Sequence, residues 1–284
     1  MNAAQVLNGI ALGSLLMVLS SGLAMIYGLR GVTNFAHGAL YMTGAYIGYS
    51  VARHLDFWLA LLLVPLALTA IGVLLELVFF RPLQGRSHME VGLVTFGLAL
   101  IAERLVVLAW GEKTLSLDPP PGLRGTTSLF GVHYPTYRLG VIVIAAALAA
   151  ALVLWLRHTR TGLYIRAASQ DIETAAIMGV DVNRISIIVV SLGAALAGLA
   201  GILAAPYISV DPSMGGRFLI TVLIVVVVGG VGSVGGAMAA GMGLGVIQTL
   251  ITVWSPSVSV LVPYAALVVV LLWRPRGLAG RRAS

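Results

Sequence analysis

The chain has 284 residues, no cysteine and a single lysine, Lys113. Without cysteine it forms no disulfide bond, no thiolate metal site and no cysteine nucleophile. A P-loop requires Gly-Lys-Ser/Thr, and Lys113 instead follows Glu112, so an ATP-driven process that involves this chain needs another chain to hydrolyse the ATP. The signatures H-E-x-x-H and G-x-S-x-G are absent as well. The sequence therefore argues against an enzyme and offers no metal-ligand motif.

Charged residues are also scarce. They make up 10% of the chain, whereas 59% of residues are hydrophobic and the mean hydropathy is +1.02. A soluble domain of this length would need a more polar surface, so the composition predicts an all-α polytopic membrane protein. The formal charge of +7 comes from arginines in the short gaps between apolar runs, where they set orientation rather than bind nucleic acid.

Long apolar runs account for most of the chain. A helix needs about 20 apolar residues to cross a bilayer, so the sequence predicts a bundle of about nine spans, with eight or ten as alternatives. The runs 35–52 and 218–234 are short or broken by glycine, and either could be a re-entrant or discontinuous helix. The predicted spans are 5–29, 35–52, 57–80, 90–110, 139–156, 186–205, 218–234, 237–254 and 258–273.

Arginine clusters between the runs predict how the chain is oriented. If these gaps face the cytoplasm, the N-terminus is outside and the C-terminus is cytoplasmic. The gap 111–138 then lies outside, and Pro119 to Pro121 predict that it is an irregular loop. The clusters are Arg81 with Arg86, Arg157 with Arg160 and Arg166, and the tail residues Arg274, Arg276, Arg281 and Arg282.

A polar interruption at 157–184 separates two apolar blocks, 1–156 and 185–284, which we interpret as the two halves of a single transmembrane domain. Basic residues come first, and Asp171 and Glu173 then open a run in which apolar residues recur at helical spacing. Acidic residues favour the start of a helix. We therefore predict a short amphipathic helix at the membrane surface that begins near Ser169 or Asp171 and ends at Gly179.

Two stretches interrupt the apolar runs with polar and glycine residues: 31–38, which contains Asn34, Phe35, His37 and Gly38, and 229–236, which contains Gly229, Gly230, Gly232 and Ser233. A pair of such breaks is typical of a transport site built from half-helix ends. Close helix packing and a tight turn explain the same residues equally well. An inverted repeat would place the breaks on opposite sides, whereas the span count places both on the cytoplasmic side. Either they lie deeper than this count implies, or the count is wrong by one.

Few ionisable residues fall inside the predicted spans. His37 is either a pathway residue or a hydrogen-bonding partner of a neighbouring helix. Glu76, near the inner end of its span, is expected to reach the interface as a snorkelling carboxylate. Glu103 and Arg104 point about 100° apart on a helix, so each needs a partner on another helix or the outer interface.

Four elements together resemble the membrane permease subunit of the branched-chain amino-acid ABC transporter family. The similarity runs from about residue 5 to residue 278, and it is closer to the subunit type that carries N-F-A-H-G than to its longer partner. The elements are Asn34-Phe35-Ala36-His37-Gly38, Arg81-Pro82-Leu83, the Arg-x-x-Arg-x-Gly run at 157–162, and Gly229-Gly230-Val231-Gly232-Ser233 followed by Gly236-Ala237.

The resemblance implies a bacterial inner-membrane importer with a second permease subunit, identical or homologous, two cytoplasmic ATPase subunits that use ATP and Mg²⁺, and an external substrate-binding protein. It implies that both breaks lie near the translocation pathway. It also implies that Glu173, Ala175, Ala176 and Gly179 belong to a coupling element that docks into an ATPase, with Thr174 standing where the general importer pattern has alanine.

Other functions remain open on the sequence. A permease of the same family for urea or short amides would look similar. An ion-coupled secondary transporter would use His37, Glu76 and Glu103 as coupling residues, but it leaves the cytoplasmic helix unexplained. A passive channel for a small neutral solute would need no coupling helix.

Overall fold

The computed structural model describes residues 3–129 and 131–280, and helices account for almost all of its regular structure. The elements are α1 (Ala3–Arg30), α2 (His37–His54), α3 (Phe57–Leu75, continued by a π-helical turn, Glu76–Phe80), α4 (His88–Trp110), β1 (Thr126–Leu129), β2 (Val132–Pro135), α5 (Thr136–His158), α6 (Arg160–Ala168), α7 (Ile172–Ile177), α8 (Val182–Ala204), α9 (Met214–Gly229), α10 (Val234–Trp254), α11 (Pro256–Ser259) and α12 (Val262–Trp273).

The predicted helical membrane bundle is confirmed. Each of the nine predicted spans overlaps a helix, although the span predicted at 218–234 runs past the end of α9 at Gly229. Within residues 3–129 and 131–280, six helices are long and apolar enough to cross a membrane: α1, α3 with its π turn, α4, α5, α8 and α10. Of the other three, α9 and α12 are apolar but have only 16 and 12 residues, and α2 has 18 residues that are less apolar.

Two helices form the centre of the bundle. In the most apolar window of α1, 89% of residues are buried, and in that of α8 78% are, against 22% for α3, α4 and α5. Small residues let α1 approach α10 closely, as at Gly13, where an added Cβ would lie 2.7 Å from the carbonyl oxygen of Met242. Close approach of backbones replaces the hydrophobic driving force that lipid cannot supply.

α1 provides a scale for depth in the bundle. Its 28 residues rise about 1.5 Å each, which gives about 42 Å. We call its two extremities the Ala3 end and the Arg30 end. Arg30 donates a hydrogen bond to the Phe80 carbonyl (3.1 Å), so the π turn lies at the Arg30 end. Arg138 in the first turn of α5 donates to the side chain of Asn8, which places the start of α5 near the Ala3 end.

The loop between α4 and α5 differs from the prediction. We expected no regular structure in 111–138, but β1 and β2 pair as an antiparallel hairpin from Thr126 opposite Pro135 to Leu129 opposite Val132. The hairpin satisfies backbone groups that an irregular loop would leave to water, and it buries Tyr134, which is 1% exposed. Burial raises the pKa of the Tyr134 phenol to about 12.

The polar interruption contains two helices rather than one. The predicted surface helix is confirmed as α7, between Asp171 and Gly179. The preceding basic stretch, which we did not predict to be helical, forms α6, whose first turn is capped by a hydrogen bond from the Gly162 N–H to the Thr159 hydroxyl (3.0 Å). In the predicted basic tail, Arg274 and Arg276 follow α12, while Arg281 and Arg282 lie outside the described residues.

Candidate functional site

Residues 31–36 of the first polar break, 31–38, return the chain from the Arg30 end to the middle of the bundle. The side-chain oxygen of Asn34 accepts a hydrogen bond from the Ala36 N–H (3.0 Å), and the Phe35 N–H donates to the Thr95 hydroxyl on α4 (3.1 Å). Asn34 is 1% exposed. These bonds satisfy non-helical backbone inside the bundle, which is the condition for its presence at that depth.

His37 fixes the depth at which α2 begins. Its Nε2 lies 3.0 Å from the carbonyl oxygen of Leu19, and its side chain is buried. Leu19 precedes Arg30 by eleven residues on α1, a distance of about 16 Å along the helix axis. α2 therefore starts near mid-depth, so this break lies deeper than the span count implied. The hydrogen bond to a neighbouring helix is one of the two roles expected for His37.

A second half-helix begins beside the first. An added Cβ on Gly215, in the first turn of α9, would lie 2.9 Å from the carbonyl oxygen of Gly38 in the first turn of α2. The segment 205–213 leads to this point from the Ala3 end, where Val210 exchanges backbone hydrogen bonds of 2.8 and 2.9 Å with Leu115. The N-terminal ends of α2 and α9 thus meet near the middle of the bundle.

The two half-helices leave this junction in opposite directions. α2 runs beside α8 to the Ala3 end, where the Trp110 indole N–H at the end of α4 donates to Ser50 (2.7 Å). α9 runs to the Arg30 end, where the turn after it reaches Gly28 of α1. Opposed half-helices whose N-termini meet at the midplane are the architecture of transport sites in inverted-repeat membrane proteins. We call this region the midplane junction.

The second predicted break, 229–236, does not meet the first, because the length of α9 separates them. It is a tight turn at the Arg30 end: Gly230 and Gly232 have φ of +104° and +77°, and the Ser233 hydroxyl accepts from the Gly236 N–H (3.1 Å) to cap α10. The C-terminal segment closes it, since the Ala279 N–H donates to the Gly229 carbonyl (3.0 Å).

Sequence reasoning paired 31–38 with 229–236 and missed the true counterpart of the first break, the segment 205–216. Asp211-Pro212-Ser213 followed by Gly215-Gly216 was a usable signal, because turn residues and paired glycines directly precede an apolar run. At this point Arg217 forms an ion pair with Asp211, whose carboxylate also accepts from the Ser213 N–H (3.0 Å).

The predicted coupling element is exposed at the Arg30 end. Asp171 caps α7 by accepting 3.0 Å hydrogen bonds from the N–H groups of Glu173 and Thr174, and these bonds with that from the Thr174 hydroxyl hold the pKa of the Asp171 carboxyl below its ordinary value. Gly179 ends the element with φ of +88°. Ala175 is 4% exposed and faces the protein.

The outward surface of α7 and the residue after it is apolar. Ile177 is 85% exposed and Met178 is 80% exposed. On the other side of α7, a cavity of about 560 Å³ lies between Glu173 and Ala176 and the ends of α1, α4 and α8. The element thus touches the bundle through one side and presents bulky apolar side chains on the other.

The expectation for Glu76 was wrong. Glu76 is completely buried, and it pairs with Arg30 inside the bundle instead of reaching the interface. The sequence could not show this because the two partners are 46 residues apart. Burial without a partner is prohibitive for a carboxylate, so this pair ties the end of α1 to the π turn.

Other polar groups stay apart from the site. Neither Glu103 nor Arg104 has a hydrogen bond or an ion pair among the described residues, and Arg104 is exposed. In the same part of the chain, no three His, Cys, Asp or Glu side chains are grouped so that they could hold a metal ion.

Comparison with known proteins identifies the family to which this chain belongs. Residues 5–271 match the family described as the permease component of the branched-chain amino acid transport system. The high-affinity branched-chain amino acid permease protein BraD of Pseudomonas aeruginosa is 30% identical, with 98% of this chain and 95% of BraD covered. LivH of Salmonella typhimurium is 28% identical with the same coverage. LivM of Escherichia coli is 29% identical, and the alignment covers 92% of this chain and 67% of LivM.

A solved structure shows the same fold at much lower identity. A chain of the PsaBC complex from Streptococcus pneumoniae superposes with a TM-score of 0.52 and 15% identity, covering 95% of this chain and 91% of that one. The match over nearly the whole length, together with the helical bundle, shows that this chain is a multi-pass membrane protein of the branched-chain amino acid permease family.

Proposed function

We propose that this chain is a transmembrane subunit of an ATP-driven importer that moves branched-chain or related amino acids into the cytoplasm. The observation that carries the proposal is α7 with its exposed Ile177 and Met178, in a chain of the branched-chain permease family. A capped helix with bulky apolar residues at its exposed end is suited to insertion into a groove of a partner protein.

An importer subunit of this kind would work with ATPase subunits, a second permease subunit and a binding protein. This chain has no Gly-Lys-Ser/Thr sequence, so another chain would have to bind the ATP and Mg²⁺ that drive transport. Membership of the permease family supports two cytoplasmic ATPase subunits in that role. A second permease subunit, identical or related to this one, would complete the pathway, since similarity to both LivH and LivM is compatible with either arrangement. An external binding protein would deliver the substrate.

The orientation follows from the arginines. α7, the 81–88 loop and the C-terminal segment all lie at the Arg30 end, where the basic clusters concentrate, so this end is assigned to the cytoplasm and the N-terminus to the outside of the bacterial inner membrane. The two apolar blocks, 1–156 and 185–284, then act as halves of one domain joined by the coupling segment.

The mechanism places chemistry and transport in different chains. Closure of the ATPases on ATP would move α7, and the cavity of about 560 Å³ behind it gives α7 room to shift against Arg30 and the ends of α1 and α4. Tilting of the bundle would then open the midplane junction to the outside. Among the residues that we assign to the pathway, Asn34, Phe35, His37 and Gly38 lie at this junction. Gly229, Gly230, Gly232 and Ser233 lie in the turn at the Arg30 end, where the cytoplasmic exit of the pathway would be.

The test substitutes the exposed tip of the coupling element. A Met178→Asp variant, expressed with the ATPases, the second permease and the binding protein, should lose ATPase co-purification and ATP-dependent leucine uptake. Leu55→Asp is the matched control, because Leu55 is 67% exposed and follows α2 at the opposite end. Unchanged uptake and assembly in the Met178→Asp variant would refute the coupling role. Uptake driven by an ion gradient without ATP, or of urea but no amino acid, would refute the importer proposal.

A further inference from the structure

We propose that Asp211, Arg217 and the first turn of α9 form a binding site for the charged groups of a zwitterionic amino acid at the midplane junction. The inference rests on the proposed function and deepens it, because it names the part of the pathway that recognises the substrate.

The depth of the pair is the first observation. Arg217 follows Gly215 by two residues, and Gly215 packs against Gly38 near the middle of the bundle. The Arg217 side chain is nevertheless 60% exposed in this chain. The pair lies between this level and the Ala3 end, because Asp211 directly follows Val210, which bonds to Leu115 in the loop between α4 and α5. A guanidinium within the hydrocarbon region does not face lipid, because desolvation there is too unfavourable. The exposed side of Arg217 must therefore face a wet pathway or a charged surface of a partner chain.

Asp211 is fixed in position by its own turn. Its Oδ1 accepts from the Ser213 N–H (3.0 Å) and from the Ser213 hydroxyl (2.6 Å), while Oδ2 pairs with Arg217. The Asp211 side chain is 20% exposed. A carboxylate held in this way keeps lone pairs available on the open side, where an ammonium group can donate to it.

The first turn of α9 adds free donors beside the guanidinium. Gly215 and Gly216 are its second and third residues. The N–H groups in the first turn of a helix have no acceptor inside the helix, and within the described residues those of Gly215 and Gly216 have none outside it. No heavy atom lies within 4 Å of a Cβ built on Gly216, so a ligand can approach this backbone. Such donors favour an anion, and a carboxylate matches the planar fork of arginine.

Two buried tyrosine hydroxyls on α2 lack hydrogen-bond partners within the described residues. Tyr41 is 1% exposed and Tyr46 is completely buried, and neither hydroxyl has a hydrogen-bond partner in the described part of the chain. The Tyr41 ring packs on Phe218, the residue after Arg217, with 4.9 Å between the ring centroids, and the Tyr46 ring packs on Trp110 at 5.4 Å. Buried hydroxyls without partners are uncommon, and that of Tyr41 belongs to a side chain packed against the first turns of α9. A polar ligand bound at Asp211 and Arg217 would offer the Tyr41 hydroxyl a partner.

The charges of the site determine how a zwitterionic amino acid would be oriented in it. The substrate carboxylate would bind Arg217 and the N–H groups of Gly215 and Gly216, and its ammonium group would bind Asp211. The ligand would separate Asp211 from Arg217, so part of its binding energy is lost to breaking that pair. The site would consequently hold the substrate weakly, as a transport site that must release it requires.

The absence of cysteine allows a direct test in the assembled complex. In a Gly216→Cys variant of the complex purified in detergent, where both faces are accessible, a polar thiol reagent should label residue 216, and saturating leucine should slow the labelling several-fold. Isoamylamine, which lacks the carboxylate, should protect much less. Gly235→Cys is the matched control: it is a glycine in the first turn of α10 with equally open surroundings, and leucine should not protect it.

Substitution of the charge then identifies its role. Adding Arg217→Gln to the Gly216→Cys variant should abolish protection by leucine, while adding Arg217→Lys should retain part of it. Leucine uptake by the Arg217→Gln complex should fall on the order of tenfold to a hundredfold, the range expected for a lost hydrogen bond to a charged group. Asp211→Asn is the second variant if Arg217→Gln does not assemble.

The outcomes separate the two proposals. If the unmodified complex imports leucine with ATP but residue 216 is not labelled, or leucine does not protect it, the site is wrong and the proposed function stands. Equal protection with Arg217→Gln would also refute the site. If the unmodified complex, with all its partners, imports no amino acid, the proposed function fails and the site fails with it.

Discussion

Within residues 3–129 and 131–280, two arginine–carboxylate pairs lie inside the bundle, and they differ in their access to solvent. In the pair at the Arg30 end, the side chains of Arg30 and Glu76 are 12% and 0% exposed. In the pair at the midplane junction, those of Arg217 and Asp211 are 60% and 20% exposed. The first is nearly excluded from solvent, although Arg30 borders the cavity behind α7, and it holds the end of α1 to the π turn. The second is open and can exchange partners. The same chemistry therefore serves architecture in one region and is available for recognition in the other.

The largest effect on stability should come from breaking the buried pair. Glu76→Gln leaves Arg30 charged and buried, so the free energy of unfolding should fall by about 3–5 kcal/mol. The thermal unfolding midpoint of the purified protein in detergent measures this. The double variant Arg30→Met with Glu76→Met should recover most of the loss, because no uncompensated charge remains. A single variant that unfolds at the unmodified temperature would show that the pair contributes little.

Overpacking at the midplane junction should have the next largest effect. In a Gly38→Ala variant the new methyl group would meet the carbonyl oxygen of Gly215 and lie 2.8 Å from the Leu219 Cβ. We expect a loss of about 1–3 kcal/mol, read from the same unfolding midpoint. Gly216→Ala is the control, since nothing lies within 4 Å there and its stability should be unchanged or slightly raised. Equal effects at both glycines would contradict the close contact of α2 with α9.

Breaking the open pair should hardly affect stability. Asp211→Asn removes an exposed ion pair, whose contribution is typically below about 1 kcal/mol, and the asparagine oxygen can still accept from the Ser213 N–H. The unfolding midpoint should therefore barely move while leucine uptake by the complex falls. A midpoint that drops as far as it does for Glu76→Gln would mean that the two pairs are not different in kind.

The smallest effect concerns Asp171, an acid that lies outside the bundle altogether. The pKa of its carboxyl is lowered by hydrogen bonds that form only when α7 is folded. Its contribution is therefore complete above the ordinary pKa of aspartate and is lost as the pH falls through the lower pKa of the folded state. Hydrogen exchange at the Glu173 and Thr174 amides should accelerate relative to the helices of the bundle as the pH falls. An Asp171→Asn variant should show a weaker dependence on pH.

Much of the fold could be predicted from the sequence. Apolar runs located nine helices, and Asp171 and Gly179 bounded the surface helix, because hydrophobic length and capping residues are local properties of the chain. The hairpin was missed because its four-residue strands carry too short a pattern and lie in a proline-containing gap. The basic helix α6 was missed because clustered arginines were interpreted only as an orientation signal.

The site was less accessible to sequence reasoning. The stretch 34–38 was selected correctly as an interruption, and its depth could not be known until His37 was seen against Leu19. The stretch from Gly229 to Gly236 is richer in glycine, but it is a turn whose backbone carbonyl at Gly229 accepts a hydrogen bond from the C-terminal segment. The true counterpart, 205–216, contains fewer glycines and was treated as a connection between spans.

By itself, then, the sequence determined that this protein is a helical membrane bundle without a P-loop sequence or a thiol, with basic gaps and a capped surface helix. These properties depend on composition and on residues only a few positions apart. The tertiary structure alone decided that α2 and α9 begin together at mid-depth, that Glu76 is sealed against Arg30, and that Asp211 and Arg217 are open. Those facts depend on contacts between residues far apart in the chain, and the depth and exposure of a charge are set by what packs around it.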